Sequence, residues 1–208
     1  MKTFAISGRC IATPPPADWR EQLAQMLGTK PRRIGTWAEL GLYGALCCMA
    51  DAGEKTLPQD AQLWLASRRG TYTATGIVLD QLREDLPMPL AFLQTQPNQS
   101  LALLAAQLHW QGQACFVAGA KPEALLRLAA AQAGNDGMLL GWVDEMAGGE
   151  TRWLRLQPSH DAIEGYVEAA AESLLSPHVS HVRLADKGMQ VRLAGQASLN
   201  LGARGVEW

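Results

Sequence analysis

The sequence predicts an α/β fold in which strands alternate with helices and then close on a hairpin. Three observations predict it. Apolar, strand-type runs at 62–67, 113–118 and 138–143 are separated by stretches with helical period or helix-end chemistry. A Gly148-Gly149 turn joins the third run to a fourth at 151–156, which makes a hairpin. Finally, 208 residues with 48% hydrophobic content supply enough apolar side chains for a real core. Such alternation favours a largely parallel sheet with helices on its faces.

The elements follow in order. Residues 4–13 form a strand-like run that ends at Pro14-Pro15-Pro16. Asp18 opens a short helix over 19–27. A basic loop follows, Lys30-Pro31-Arg32-Arg33. Thr36, with Glu39 three residues on, has the form of a capping box. The helix it starts runs to about Ala52, and Gly53 ends it. The strand at 62–67 is of buried type. A turn at Arg68-Arg69-Gly70 leads to a helix over 73–82, and Leu86-Pro87-Met88-Pro89 breaks the chain. Over 99–109, Leu101, Leu104, Ala105 and Leu108 recur on one helical face. After the strand at 113–118, a helix over 122–133 has Pro122 at its first position and Gly134 beyond its end. Past Pro158 the pattern predicts a helix over 161–175 and two short strands near 179–184 and 189–193. The tail 197–208 has no clear period, and no internal repeat is visible.

Composition excludes several functions. Lys+Arg total 18 against Asp+Glu 20, a net charge of -2, so no global basic field exists to hold nucleic acid. The four cysteines are Cys10, Cys47, Cys48 and Cys115. Adjacent Cys47-Cys48 in an apolar stretch is a poor disulfide framework, and the thiols read as small buried hydrophobes of a reduced compartment. The N-terminus lacks the pattern of a signal peptide, and no apolar run approaches the length of a membrane span. The expectation is a cytoplasmic protein. His178-x-x-His181 is the close histidine pair, with no cysteine near it, so no metal site is expected. No phosphate-cradling glycine run appears, and no cofactor is expected.

The most informative stretch is 98–145. Asn98 precedes a helix, Gly112 lies fourteen residues later, and position 121 lies nine beyond that, after Gly119-Ala120. This ungapped spacing resembles the β-ketoacyl synthases of the thiolase superfamily, where the last position is a nucleophilic Cys in a Thr-Ala-Cys elbow. Here it is Lys121. Leu63-Trp64-Leu65-Ala66-Ser67-Arg68-Arg69-Gly70-Thr71 looks like the family's strand and glycine-rich turn with several glycines lost. Arg32 to Gly53 looks like its long early helix, and Met138 to Glu145 like its strand ending in Gly-Gly-x-Glu. The resemblance covers roughly residues 1 to 155. It implies a thiolase-like, half-ketosynthase domain over 1–157, a mixed sheet with flanking helices. Residues 158–208 would form a short α/β extension of the same unit.

Two departures bear on function. A thiolate at the elbow is stabilised by the positive end of the following helix, and Lys121 puts a cation there instead. The family's second half, with its Gly-Thr-Gly-Thr loop and Gly-His motif, is absent. The chain therefore resembles the chain-length factors, the pseudo-ketosynthase subunits of type II polyketide and aryl polyene systems. That resemblance implies no catalytic residue and a heterodimer with an active ketosynthase that works on acyl carrier protein. Gln113, Ala114, Cys115, Phe116, Val117 and Ala118 would pair across the dimer axis, and the run fits a strand buried on both faces. An internal strand of a monomer fits as well. Arg69 and Asn98 would gate the partner's acyl tunnel, or lie in solvent. Lys121 would face the tunnel, or reach solvent or Glu123. Lys30, Arg32, Arg33 and Arg68 would attract acyl carrier protein, or form a solvated loop. Two rivals stand beside this reading: an enzyme with a non-standard nucleophile such as Cys115 or Ser67, and a self-associating scaffold.

Overall fold

A computed structural model describes residues 2–86, 88–119, 121–160, 164–185 and 188–195. Its frame is one mixed sheet. The strands are β1 (Lys2–Ala12), β2 (Gln62–Ser67), β3 (Ala114–Ala118), β4 (Met138–Asp144), β5 (Glu150–Pro158), β6 (Val167–Glu168), β7 (Val179–Ala185) and β8 (Gly188–Leu193). Across the sheet they run β3-β2-β4-β5-β1-β7-β8-β6. The helices are α1 (Trp19–Leu27), α2 (Thr36–Asp51), α3 (Tyr72–Arg83), α4 (Pro89–Gln94), α5 (Pro97–Gln107) and α6 (Pro122–Gln132).

The sheet buries both faces at its centre. In β2, Leu63 and Leu65 point into one core with Trp37, Leu104 and Trp153, while Trp64 and Ala66 point into a second with Leu125, Leu140 and Leu154. That two-sided burial is why β2 reads as an unbroken apolar run. α2 is apolar almost all round and lies directly on the sheet. A Cβ on Gly44 would overlap Thr151 Oγ1 and the Trp153 ring, and one on Gly8 would overlap the Cys48 carbonyl. These two glycines set how closely α2 approaches β1 and β5.

Parallel pairing is confined to β2 with β3 and β2 with β4 among the described residues. The hairpin returns β5 antiparallel to β4, and β1, from the far end of the chain, slots between β5 and β7, antiparallel to both. The expectation of a largely parallel sheet is thus corrected to a mixed one. Strand alternation reports crossovers, but it carries no information on where a distant N-terminal strand inserts.

The helix expected over 161–175 is also corrected. Residues 164–170 contain the strand β6, which pairs with β8, and 171–175 form one 3-10 turn. Gly165 sits at φ +85, outside helical space. Residues 161–163, and the tail 197–208, lie outside the described residues. The capping box at Thr36 is not formed. Gly35 is the cap, Thr36 is already helical, and Glu39 is drawn to Arg20 at 2.9 Å. Asp18 likewise makes no side-chain cap and accepts from Gln22 Nε2 instead, at 3.0 Å. Of the expected break at 86–89, Pro87 lies outside the described residues, and Pro89 starts α4, since proline suits a first helical turn.

α3 and α4 contain no buried residue. No helix of the described residues is long and apolar enough to cross a membrane.

Candidate functional site

The carboxyl ends of the three parallel strands converge on one rim. Asp144, the last residue of β4, accepts from Ser67 Oγ at 3.0 Å and from the backbone amides of Arg68 and Arg69 at 3.2 and 3.1 Å. Ser67 Oγ in turn accepts from Gly70 N at 2.7 Å. Glu145 Oε1 accepts from Thr73 N at 2.6 Å, in the first turn of α3. Two adjacent carboxylates therefore hold the turn between β2 and α3. Asp144 uses both of its oxygens in that work and Glu145 uses one.

Lys121 stands at the start of α6, extended at φ -70, with its carbonyl accepting from Leu125 N. Gly119, at φ +69, makes the preceding turn, and its amide reaches Ser67 O at 2.8 Å. Ala120 lies outside the described residues. Lys121 is exposed, and its side chain makes no hydrogen bond or ion pair with another described residue; Glu123 is taken by Arg127 at 3.0 Å. A cavity of about 430 Å³ opens here, lined by Ser67, Arg68, Lys121, Trp142 and Arg152 among others. None of the four histidines lines it. The described residues form no group of His, Cys, Asp or Glu suited to a metal ion.

The expected strand, 113–118, is β3 with Gln113 just outside it. It occupies the end of the sheet, so beyond its single parallel partner β2 the outer edge of backbone donors and acceptors faces no described strand. Phe116 turns toward the first core and meets Trp37 edge-on at 5.8 Å, whereas Cys115 and Val117 pack toward the second. Ala114 and Ala118 are exposed and the three residues between them are only half-buried. Both faces of β3 are thus covered in part, and at the end of the sheet its residues stay half-exposed.

A wide apolar surface adjoins that edge. α5 packs against β3, α4 against α5, and α3 against α4. Gly70, at the entrance to α3, lies beside the Phe116 ring. On α3, α4 and their connection, Ile77, Leu79, Leu82, Leu86, Met88, Leu90, Phe92 and Leu93 are each 46–61% exposed. Sequence reasoning missed this face. The signal was available: leucines at 79, 82, 86, 90 and 93 recur in a stretch too rich in proline to make one long helix.

Arg69 and Asn98 are both exposed, Arg69 over the Tyr72 ring at 5.9 Å and Asn98 in the first turn of α5. Thr71 Oγ1 donates to Thr95 O at 2.9 Å and ties their two segments together. Lys30, Arg32 and Arg33 lie on the loop before α2, where the Arg33 carbonyl accepts from Gln94 Nε2 at 3.0 Å.

No protein-family model and no curated protein sequence matches this chain. Solved structures do. The chain is similar to one in the complex of a ketosynthase, ApeO, with its chain length factor, ApeC, from Xenorhabdus doucetiae, with a TM-score of 0.56 and 14% identity over 92% of this chain and 99% of that one. It is similar to the ishigamide ketosynthase/chain length factor, at 0.55 and 11%, over 76% of this chain and 58% of that one. It is also similar to the type II polyketide assembly AntDE:AntF, an acyl-carrier protein in complex with its ketosynthase, at 0.55 and 12%, over 81% and 69%. These likenesses show the fold: a thiolase-like, ketosynthase-type mixed sheet with flanking helices.

Proposed function

We propose that this chain is a non-catalytic chain-length factor, which pairs with an active ketosynthase and shapes the acyl tunnel in which that partner elongates chains on acyl carrier protein. One observation carries the reading. α3, α4 and their connection leave eight large apolar side chains about half-exposed, and β3, to which they are linked through α5, has one edge that faces no described strand. Surfaces of that kind mark protein contacts, and a bare apolar edge strand is otherwise an aggregation hazard. Interface-type pairing of Gln113 through Ala118 with the partner's equivalent strand would satisfy the free backbone groups of β3.

The chemistry of the rim supports the non-catalytic half of the reading. The resemblance puts Lys121 at the family's nucleophile position, and no histidine lines the cavity beside it to act as acid or base. The fold's kinship adds weight, because the ApeO and ApeC complex contains a chain of about this chain's length that aligns from end to end. Arg69 and Asn98, on adjoining segments, are the residues assigned to gate the partner's tunnel. A position in the cytoplasm accords with such a partnership. The domain division follows the same logic: residues 1–157 are the ketosynthase-like unit, and 158–208 extend its sheet through β7 and β8.

The test is co-expression with a ketosynthase, read by size exclusion with light scattering. A one-to-one heterodimer with raised soluble yield supports the proposal. A stable monomer overturns it. A homodimer that ignores the ketosynthase supports the scaffold reading in its place.

A further inference from the structure

We propose that Cys10 and Cys47 form a peroxide-responsive dithiol whose disulfide would staple β1 to α2. This site is independent of the proposed partnership and lies away from β3.

The placement follows from the fold. α2 runs antiparallel to β1. Its start, at Leu40, lies near Gly149 and Pro15 beyond the end of β1, and its end, at Cys48 and Ala52, lies over Gly8. Arg9 N also donates to Asp51 Oδ2 at 2.9 Å. Moving two residues along β1 from Gly8 advances about 6.6 Å. That is a little over one helical turn of about 5.4 Å, taken backward along α2. Cys10 is thereby brought to the turn that holds Cys47. The absence of a side chain at Gly8 lets the helix sit close over β1, and Cys10 and Cys47 both pack, partly buried, against the first core.

The electrostatics agree. The Cys47 thiol is held below its ordinary value, at about 7, by the hydrogen bond from Cys10, against the opposing effect of burial; Tyr43 contributes a smaller lowering. Tyr43 has one hydroxyl hydrogen, and Gln22 Oε1 at 3.0 Å competes for it, so Cys10 is the steadier donor. The same hydrogen bond, then burial, pushes the Cys10 thiol up. One partner is thus disposed to be the thiolate and the other to remain protonated. Both are only partly buried, so a small oxidant can reach them. Cys48 is buried, and burial foremost raises its thiol far above the usual range, which makes it a bystander.

The steps balance with hydrogen peroxide as oxidant. The Cys47 thiolate attacks one peroxide oxygen, the O–O bond breaks, and hydroxide leaves to take up the proton that Cys47 released. Cys47 is now a sulfenic acid. The Cys10 sulfur attacks the Cys47 sulfur, the S–O bond breaks, and the hydroxyl departs as water with the Cys10 proton. Two thiols and one peroxide give one disulfide and two waters. The cysteines lose two electrons, which the peroxide gains.

The experiment uses the full chain, reduced and then exposed to hydrogen peroxide, with thiol counting and peptide mapping after alkylation. The four free thiols should fall to two, with a single cross-link between the Cys10 and Cys47 peptides that dithiothreitol reverses. Cys47 should be consumed at least about tenfold faster than Cys48, in line with their thiolate fractions. In Cys10→Ser the cross-link should vanish and a dimedone-trappable sulfenic acid should persist on Cys47. A cross-link through Cys48 or Cys115, or retention of all four thiols, overturns the proposal, and neither result depends on any variant folding.

Discussion

Arg155 grips Glu54 with both arms of its guanidinium, Nε to Oε2 at 2.7 Å and Nη2 to Oε1 at 3.2 Å, although it sits mid-strand at 1% exposure. Its Nη1 donates to the carbonyls of Asp136, at 2.8 Å, and Leu156, at 3.1 Å. The pair pins the loop after α2 to β5, with Gln157 Nε2 adding a bond to Glu54 at 2.9 Å.

Removing one member of this pair leaves a buried charge without its counterion. Glu54→Gln should therefore destabilise by about 3 kcal/mol, read by chemical denaturation. Replacing both, as Glu54→Gln with Arg155→Met, should cost less than the single change, because no charge stays stranded. A double variant worse than the single one would show that Arg155 works mainly through its carbonyl bonds.

Two glycines in α2 should respond in opposite directions. Gly44→Ala drives a methyl into Thr151 and Trp153, both fully buried, so α2 must shift; overpacking of about 1–3 kcal/mol outweighs the gain in helix propensity. Gly41 has open space at its Cβ position, and Gly41→Ala should stabilise by up to about 1 kcal/mol. Thermal unfolding of the two variants, run in parallel, checks the pair of signs.

Much of this architecture was legible in the chain. β2 and β4 announced themselves as short β-prone runs, and Pro122 fixed the first residue of α6. The place of Lys121 before that proline, at the end of a turn carrying Gly119, was legible for the same reason. What could not be read was the work of distant partners. Thr36 and Glu39 spell a capping box, yet Arg20, sixteen residues away from Thr36, competes for Glu39. Nothing local marks Arg155 as buried; its cost is met by Glu54, a hundred residues earlier. The half-exposed state of β3 depends on its being last in the sheet, which is a property of topology and not of the segment 114–118. The α3–α4 face was hidden for a third reason. Apolar residues in a sequence predict burial, and these are left uncovered.

That face gives a cleaner test of partnership than β3, whose Phe116 also supports the core. Leu82 and Phe92 are 55% and 56% exposed, so Leu82→Lys and Phe92→Glu should change the stability of the isolated chain by no more than about 0.5 kcal/mol. Binding to the ketosynthase should weaken at least about tenfold, roughly 1.4 kcal/mol. Circular dichroism and isothermal titration, taken together, separate loss of fold from loss of affinity. Unchanged affinity in the folded double variant would remove α3 and α4 from the interface.

Lys121→Cys should restore a reactive thiol without restoring catalysis. A cysteine at the start of α6 gains from the helix's positive end and should alkylate readily near neutral pH. Condensation of acyl and malonyl carrier proteins should still fail in the absence of a ketosynthase, since no histidine lines the cavity to move the proton. Ketoacyl product above a boiled control would return the rim to the list of active sites.

The alkylation of Cys47 should follow its own titration. The thiolate is the nucleophile, so the rate with iodoacetamide should rise with pH through about 7 and level off above it. Cys10→Ala deletes the hydrogen bond that lowers the thiol and leaves burial as the larger remaining influence, so the midpoint should move up to or beyond about 8.5, the value of a free cysteine. Cys10→Ser keeps a hydroxyl donor in place, and the midpoint should stay low. The three profiles isolate the donor from the sulfur. If the alanine and serine variants titrate alike, the Cys10 side chain does not set the reactivity of Cys47, and the cause must be sought in Tyr43. Tyr43, whose own hydroxyl is pushed up to about 12 chiefly by burial, would then have to release Gln22 Oε1 to serve. In that case Tyr43→Phe, and not Cys10→Ala, would raise the midpoint.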